Sequence, residues 1–196
     1  MERYRPGTAL LVVDVQNDFA DPRGSLYVKG GEEVVPIVNR EIERALSDTA
    51  VVVYTQDWHP AVTPHFRQYG GTWPVHCVKE TWGAAFDEGL IFLQGQIVRK
   101  GSDGGDGYSG FNMRDPRTQE VSSTTLVPIL HAHAVERLVI VGLATDYCVV
   151  ETALDGLRLG FEVTVLTQAI RAVNRRYGDG IRAIERMREA GAKLVE

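Results

Sequence analysis

The feature that most limits how this chain can fold is the alternation of short apolar runs with longer amphipathic segments. The runs are rich in β-branched residues and predict strands at Ala9–Val13, Ala50–Tyr54, Gln96–Arg99, Leu138–Val141, Phe161–Leu166 and Lys193–Val195. Apolar residues recur at helical spacing in Val34–Leu46, Thr124–His133, Asp146–Leu159 and Gly178–Ala190. This alternation predicts an α/β fold in three layers (α/β/α), with a mainly parallel central sheet covered by helices on both faces.

The length and charge of the chain limit the functions open to it. With 196 residues and no internal repeat, linker or low-complexity block, we expect a single domain spanning 1–196. A formal net charge of −5 offers no electrostatic basis for binding nucleic acid or an anionic membrane. No apolar stretch approaches the ~18 residues of a spanning helix, and Met1–Pro6 has no apolar segment typical of a secretory signal. We therefore expect a cytoplasmic location.

Polar residues follow four of the predicted strands at the point where each strand ends. Asp14, Asp57, Lys100 and Cys148 come after the first, second, third and fourth strands along the chain. Open parallel sheets bind their ligands beyond the carboxyl ends of the strands. We therefore expect these four side chains to converge on one active site.

Three of these residues could together activate a thiol. Thr145 and Asp146 are typical N-cap residues, so Cys148 is expected in the first turn of a helix, where the helix N-terminus favours the reactive thiolate. Asp14 could accept the thiol proton and pass it to a leaving group, while Lys100 stabilises both anions. A lone buried cysteine is more often inert, and Lys100 alone would be typical of a solvated surface. Because we expect these three residues to lie close together, we favour a catalytic role for them over an inert or surface role.

A second group of residues has the spacing of a metal site. Asp57 and His59 are two apart in an extended segment and face the same side, so both can bind one ion. His76 would add a second imidazole, and His65 is a candidate fourth ligand. Two imidazoles and a carboxylate suit zinc, iron or manganese with positions left open for water or a ligand. For any single histidine a solvated or hydrogen-bonded role is more common, so the prediction depends on the group.

Five segments of the chain resemble those of nicotinamidases, which belong to the isochorismatase-like cysteine hydrolases. The resemblance extends from about Thr8 to Val173, which is nearly the whole chain. The segments are Asp14–Phe19, Thr55–Pro60, Trp73–Cys77, Lys100–Gly101 with Tyr108–Phe111, and Gly142–Val149 with Thr152–Asp155. The first and last mark the superfamily, while Asp-Trp-His-Pro and Trp-Pro-x-His-Cys indicate its nicotinamidase branch.

The resemblance implies hydrolysis of nicotinamide to nicotinate and ammonia through a thioester, as in NAD salvage, with pyrazinamide as a further substrate. It implies Cys148 as nucleophile, Asp14 as proton relay and Lys100 as their support. It further implies one divalent transition metal, with zinc expected and iron or manganese as alternatives. We also expect a homo-oligomer. It also implies an oxyanion hole formed by the backbone N–H groups of Ala144 and Cys148, and a cis peptide at Leu143–Ala144. Ring contacts with the substrate are implied for Phe19, Trp73 and Tyr108. The implied metal ligands are Asp57, His59 and His76, with His65 as a further candidate ligand.

Three other interpretations remain open at the level of sequence. The first keeps the fold and the cysteine but makes the protein a metal-independent amidase for ureido or carbamoyl compounds. The second is a non-haem iron oxygenase that uses Asp57, His59 and His76, although such enzymes usually have an antiparallel barrel. The third is a binding scaffold without catalysis, which leaves the joint presence of Asp14, Lys100 and Cys148 unexplained.

Overall fold

Strands and helices alternate along the chain in the computed structural model, which describes residues 4–93 and 95–196. The first three residues, part of the segment considered for a secretory signal, lie outside the described residues. The strands are β1 (Thr8–Val13), β2 (Val51–Asp57), β3 (Gln96–Lys100), β4 (Asn112–Arg114), β5 (Val121–Ser123), β6 (Arg137–Leu143), β7 (Glu162–Arg171) and β8 (Lys193–Val195). The helices are α1 (Asn17–Ala20), α2 (Gly31–Ser47), α3 (Leu126–Ala132), α4 (Val150–Arg158) and α5 (Asp179–Glu189), with a 3₁₀ turn at Arg67–Tyr69 and a π-helical turn at Thr145–Val149.

Six strands form one parallel sheet in the order β3-β2-β1-β6-β7-β8. From β1 the chain first adds β2 and β3 on one side, and later adds β6, β7 and β8 on the other. The order therefore reverses between β1 and β6, and a crevice at such a switch point is the usual place for a ligand in an open α/β sheet. The predicted fold class is confirmed.

The apolar run of β1 is buried on both faces of the sheet. Leu10 and Val12 pack in one core with α2, whereas Leu11 and Val13 pack in a second core with α3, α4 and α5. Successive side chains of a strand point to opposite faces, so a strand covered on both sides must be apolar throughout. This arrangement gives the three predicted layers.

Helix α2 supplies most of the helical cover on its face of the sheet. Its apolar residues recur at helical spacing and are buried, namely Val34, Val35, Val38, Ile42 and Ala45. Glu32 and Glu33 lie in its first turn and Arg44 in its last, which suits the charges at the two ends of the helix dipole. Among the described residues, none of the helices has both the length and the apolar character needed to cross a bilayer.

The structure differs from the predicted elements mainly at their ends. Strand β2 continues to Asp57, so this residue ends the strand instead of following it. The helix predicted over Asp146–Leu159 is divided into the π-helical turn and α4. The hairpin of β4 and β5 was not predicted, because strands of three residues are too short to display a period of two.

Candidate active site

Asp14 lies directly after β1, at the switch point of the sheet. Its backbone has a φ of 48°, and its side chain is fully buried. Thr55 on the neighbouring strand β2 holds it in place, because the Thr55 hydroxyl donates to Asp14 Oδ1 at 2.6 Å and accepts the Asp14 N–H at 3.2 Å. The carboxylate is thus fixed by the pairing of β1 with β2.

Lys100 ends β3 and connects the polar groups of the site. Its fully buried Nζ lies 2.7 Å from Asp14 Oδ2, 2.8 Å from Asp57 Oδ1 and 3.4 Å from Cys148 Sγ. It also donates to the carbonyl of Tyr108 at 3.2 Å. Asp57 and Lys100 are register partners across β2 and β3, which explains why their side chains meet.

Charge pairing sets the protonation of these groups. Burial disfavours an ammonium, but Asp14 and Asp57 outweigh it and raise the pKa of Lys100 well above its usual value. Burial likewise acts to raise the pKa of Asp57, yet Lys100 and then His59 hold that pKa below its ordinary range. For Asp14 burial prevails over the attraction of Lys100, and its pKa is raised. Asp14 is therefore a better proton acceptor than an exposed aspartate.

Cys148 lies in the π-helical turn that follows β6. Ala144 is the N-cap of this turn, so the expectation that Thr145 or Asp146 caps it is wrong. The Asp146 carboxylate instead accepts the N–H groups of Val173 and Asn174 at 2.9 and 2.8 Å, which ties the turn to the chain after β7.

The expected thiolate character of Cys148 is not what the structure indicates. Burial raises the pKa of Cys148 well above its usual value, even though the ammonium of Lys100 acts in the opposite direction. The residue is only 6% exposed, so the loss of hydration dominates. The thiol consequently needs a base to become a nucleophile. The Asp14 carboxylate is the nearby candidate, because Asp14 and Cys148 both contact Lys100 Nζ.

Three histidines lie together beside this group. One ring nitrogen from each of His59, His65 and His76 can be chosen so that all three atoms lie within 4.8 Å of one another. All three side chains are buried. Asp57 adjoins them, with its Oδ2 3.7 Å from His59 Nε2. The structure thus brings together the predicted set of Asp57, His59 and His76, and it adds His65 to the same group.

The hydrogen bonds of these imidazoles suit metal binding. His76 Nδ1 lies 2.8 Å from the Pro74 carbonyl, and His65 Nδ1 lies 2.8 Å from Asp106 Oδ1, so each ring has its Nε2 left for another partner. Among residues 4–93 and 95–196, neither ring nitrogen of His59 has a hydrogen-bond partner, although both are buried. A buried imidazole in this condition is costly unless a ligand satisfies it. The group therefore fits a divalent metal with nitrogen ligands.

Two further observations support this fit. Burial lowers the pKa of His76 to about 4, which keeps the imidazole neutral, as a metal ligand must be. Gly101 packs against the ring of His59 with a φ of +78°, and a Cβ at that position would lie 2.4 Å from Nδ1. Only glycine lets the chain after β3 pass this close to the histidine.

A pocket with about 430 Å³ of empty space, solvent at its mouth included, opens onto both groups. Phe19, Trp73 and Tyr108, the three predicted ring contacts, line it together with Cys148 and His76. The Trp73 indole N–H donates to the Tyr108 hydroxyl at 3.0 Å, and the ring centroids of Phe19 and His76 are 5.5 Å apart. The pocket walls are therefore aromatic, as a flat heterocycle requires.

The residues of the expected oxyanion hole lie at the same pocket. Ala144 and Cys148 both line it, and the peptide bond between Leu143 and Ala144 is cis, as the resemblance implied. Ala144 is the N-cap of the π-helical turn, and Cys148 lies within the turn.

Sequence reasoning missed three residues of the site. Tyr147 lines the pocket with its ring centroid 4.8 Å from that of Trp73, and its place beside Cys148 could have indicated this. Thr55 and Asp106 have only tertiary contacts to the site, with Asp14 and His65 respectively. Neither Thr55 nor Asp106 has a sequence signal of its own, because the partners are 41 positions apart in both pairs.

A thiol, a carboxylate and an ammonium at the switch point of a parallel sheet are the parts of a cysteine hydrolase. The comparison with known proteins agrees with this class. The isochorismatase domain family matches residues 8–196. The chain belongs to the isochorismatase family.

Relatives within the family are similar along nearly their whole length. The chain is 37% identical to a nicotinamidase of Escherichia coli, with 96% of this chain and 94% of that protein covered. The crystal structure of a Pyrococcus horikoshii pyrazinamidase in complex with zinc superposes with a TM-score of 0.87 at 39% identity, covering 97% and 99% of the two chains. The structure of PnC1 from L. infantum in complex with nicotinate superposes with a TM-score of 0.86 at 34% identity, covering 97% and 93%.

Proposed function

We propose that this protein is a nicotinamidase, a metal-containing cysteine amidohydrolase that converts nicotinamide to nicotinate and ammonia and also hydrolyses pyrazinamide. The observation that carries the proposal is the position of Lys100 Nζ, 2.7 Å from Asp14 Oδ2 and 3.4 Å from Cys148 Sγ, beside a pocket that Cys148, His65 and His76 line. The sequence similarity to the E. coli nicotinamidase supports it.

The first half of the proposed reaction forms a thioester. The Cys148 thiol gives its proton to Asp14, and the sulfur bonds to the carboxamide carbon of nicotinamide. The backbone N–H groups of Ala144 and Cys148 hold the resulting oxyanion, a contribution of ~3 kcal/mol for aligned donors. Asp14 then donates the proton to the amide nitrogen, the C–N bond breaks, and ammonia leaves.

The second half hydrolyses the thioester. A water molecule gives a proton to Asp14 while its oxygen bonds to the carbonyl carbon, and the C–S bond then breaks. The proton returns to the sulfur of Cys148, and nicotinic acid leaves and ionises to nicotinate. Throughout, the ammonium of Lys100 keeps Asp14 and the sulfur together in a site that excludes bulk water.

The histidine group would hold the metal. His59, His76 and Asp57 are the proposed ligands, with His65 as a fourth, and zinc is the proposed ion because imidazole and carboxylate suit it. The P. horikoshii relative in complex with zinc supports this choice. When bound, the ion would supply a Lewis-acidic position for the ring nitrogen of nicotinamide. Phe19, Trp73 and Tyr108 would then pack on the faces and edges of the ring.

Further properties are proposed with this function. We propose that the chain forms a single domain over residues 1–196, assembles as a homo-oligomer and works in the cytoplasm. Light scattering on the purified protein tests the assembly, and cell fractionation tests the location. Limited proteolysis tests whether the chain is a single domain. If it is, no stable fragment smaller than the chain should accumulate.

The function is tested by ammonia release from a panel of amides, with and without a chelator. Nicotinamide and pyrazinamide should be hydrolysed, and a ureido or carbamoyl compound should not. Chelation should remove activity on nicotinamide, and added zinc should restore it. Activity confined to the ureido or carbamoyl compound and indifferent to the chelator would favour the metal-independent amidase instead.

A further inference from the structure

Asp106 lies in the glycine-rich loop that follows β3 and has no role in the reaction described above. Its Oδ1 lies 2.8 Å from Nδ1 of His65, the histidine for which sequence gave the weakest indication of metal binding. The His65 side chain is 5% exposed, and that of Asp106 is 41% exposed. The contact therefore joins a buried imidazole to a carboxylate at the edge of the site.

The position of Asp106 is set independently of His65. Its N–H donates to the Arg114 carbonyl at 2.7 Å, and its carbonyl accepts the Arg114 N–H at 2.6 Å. These two bonds fix the loop to β4, whereas His65 belongs to the irregular segment between β2 and β3. This hydrogen bond, like the one from Trp73 to Tyr108, thus joins two separate parts of the chain.

The three histidines have different supports at their second ring nitrogen. His65 has a carboxylate, and His76 has the Pro74 carbonyl at 2.8 Å. Neither ring nitrogen of His59 has a hydrogen-bond partner among the described residues. A carboxylate at Nδ1 requires the tautomer with hydrogen on that atom, which leaves the Nε2 lone pair for a metal, and it makes the imidazole a stronger donor than a carbonyl does.

We propose that Asp106 is a positioning residue that makes His65 a metal ligand by fixing its ring orientation and tautomer. This inference depends on the proposed metal site and deepens it, because it names the residue that holds the proposed fourth ligand, His65, in place. Loss of such an outer contact typically weakens metal binding 10- to 100-fold.

The test measures the zinc dissociation constant of the full chain by competition with a chromogenic chelator. Asp106→Ala should weaken zinc binding roughly 10- to 100-fold. Asp106→Asn keeps an oxygen acceptor without the charge and should fall between Asp106→Ala and the wild type. Asp103→Asn, an exposed aspartate of the same loop, is the matched control and should bind zinc as the wild type does. The melting temperature of each zinc-free protein shows whether a variant is folded.

A double-mutant cycle distinguishes action through His65 from a general effect on the loop. In a His65→Ala background, Asp106→Ala should cause no further loss of zinc affinity. An equal loss in both backgrounds, or unchanged affinity in folded Asp106→Ala, would overturn the role of Asp106 while leaving the metal site in place. A wild-type protein that binds no zinc would overturn both the metal site and this inference.

Discussion

The two polar groups of the pocket differ in how they are held. The catalytic group, Asp14, Lys100 and Cys148, lies at the ends of regular strands and in the turn after β6. The histidine group, His59, His65 and His76, lies on the irregular segment between β2 and β3. The register of the sheet therefore positions the first. An isolated backbone bridge of His59 and the hydrogen bonds of the His65 and His76 rings position the second.

The two groups also differ in how far their buried polar atoms have partners within the protein. In the catalytic group the Lys100 ammonium contacts the buried Asp14 carboxylate and the Cys148 thiol, and it also pairs with the Asp57 carboxylate outside the group. In the histidine group both ring nitrogens of His59 are buried without a hydrogen-bond partner among the described residues. We infer that the catalytic group can form from the chain alone, whereas the histidine group is completed by an ion. Asp57 connects them, because it contacts Lys100 and adjoins His59.

The largest effect is expected for Cys148→Ala. Loss of the nucleophile should lower kcat by roughly 10⁴- to 10⁶-fold, as for other nucleophiles that act with a base. Metal content should be unchanged, because the proposed ligands are Asp57 and the three histidines and do not include Cys148. Steady-state ammonia release and elemental analysis of the same preparation check the two halves of the prediction. Retained turnover would contradict the covalent mechanism, and lost metal would contradict the separation of the two groups.

The next largest effect is expected for Lys100→Met, which affects both groups. It leaves Asp14 and Asp57 buried without their common partner, so the free energy of unfolding should fall by about 3–5 kcal/mol. Denaturant unfolding measures this, with Lys193→Met, an exposed lysine of β8, as the matched control.

Should Lys100→Met not fold, the double variant with Asp14→Asn tests the same point. It removes one of the two unpaired charges and should recover part of the lost stability. A change of less than about 1 kcal/mol in Lys100→Met would show that the buried ion pairs do not hold the groups together.

Metal removal should destabilise the protein through the histidine group alone. With free zinc at about 100 times its dissociation constant, chelation should lower the free energy of unfolding by about 2.7 kcal/mol. Unfolding curves with and without zinc measure this difference. Cys148→Ala should show the same shift, and His76→Ala should show little. Superimposable wild-type curves would indicate that the histidine group is complete without an ion.

The smallest effect concerns substrate selection. Benzamide is as flat as nicotinamide but lacks the ring nitrogen, and the loss of one polar partner in a buried site costs ~1–3 kcal/mol. Its kcat/KM should therefore be about 10- to 100-fold lower than that of nicotinamide. His59→Ala should reduce this preference. Equal values of kcat/KM for the two amides in the wild type would remove the histidine group from substrate recognition.

The sequence by itself determined the fold and most of the catalytic group. Hydrophobic periodicity is a property of residues that are close together in the sequence. It therefore located the strands of the main sheet to within a few residues. The parallel order then placed Asp14, Lys100 and Cys148 at one edge, because the carboxyl ends of parallel strands lie together. The spacing of Asp57 and His59 likewise indicated a shared face.

Only the tertiary structure decided the protonation of the thiol and the surroundings of the histidines. The pKa of Cys148 depends on burial, which no local pattern reports and which outweighs the attraction of the Lys100 ammonium. The contacts of His65 with Asp106 and of Asp14 with Thr55 each join residues 41 positions apart. Such pairs depend on how loops and strands pack in three dimensions, so sequence spacing predicts that candidate ligands exist but not which partners hold them.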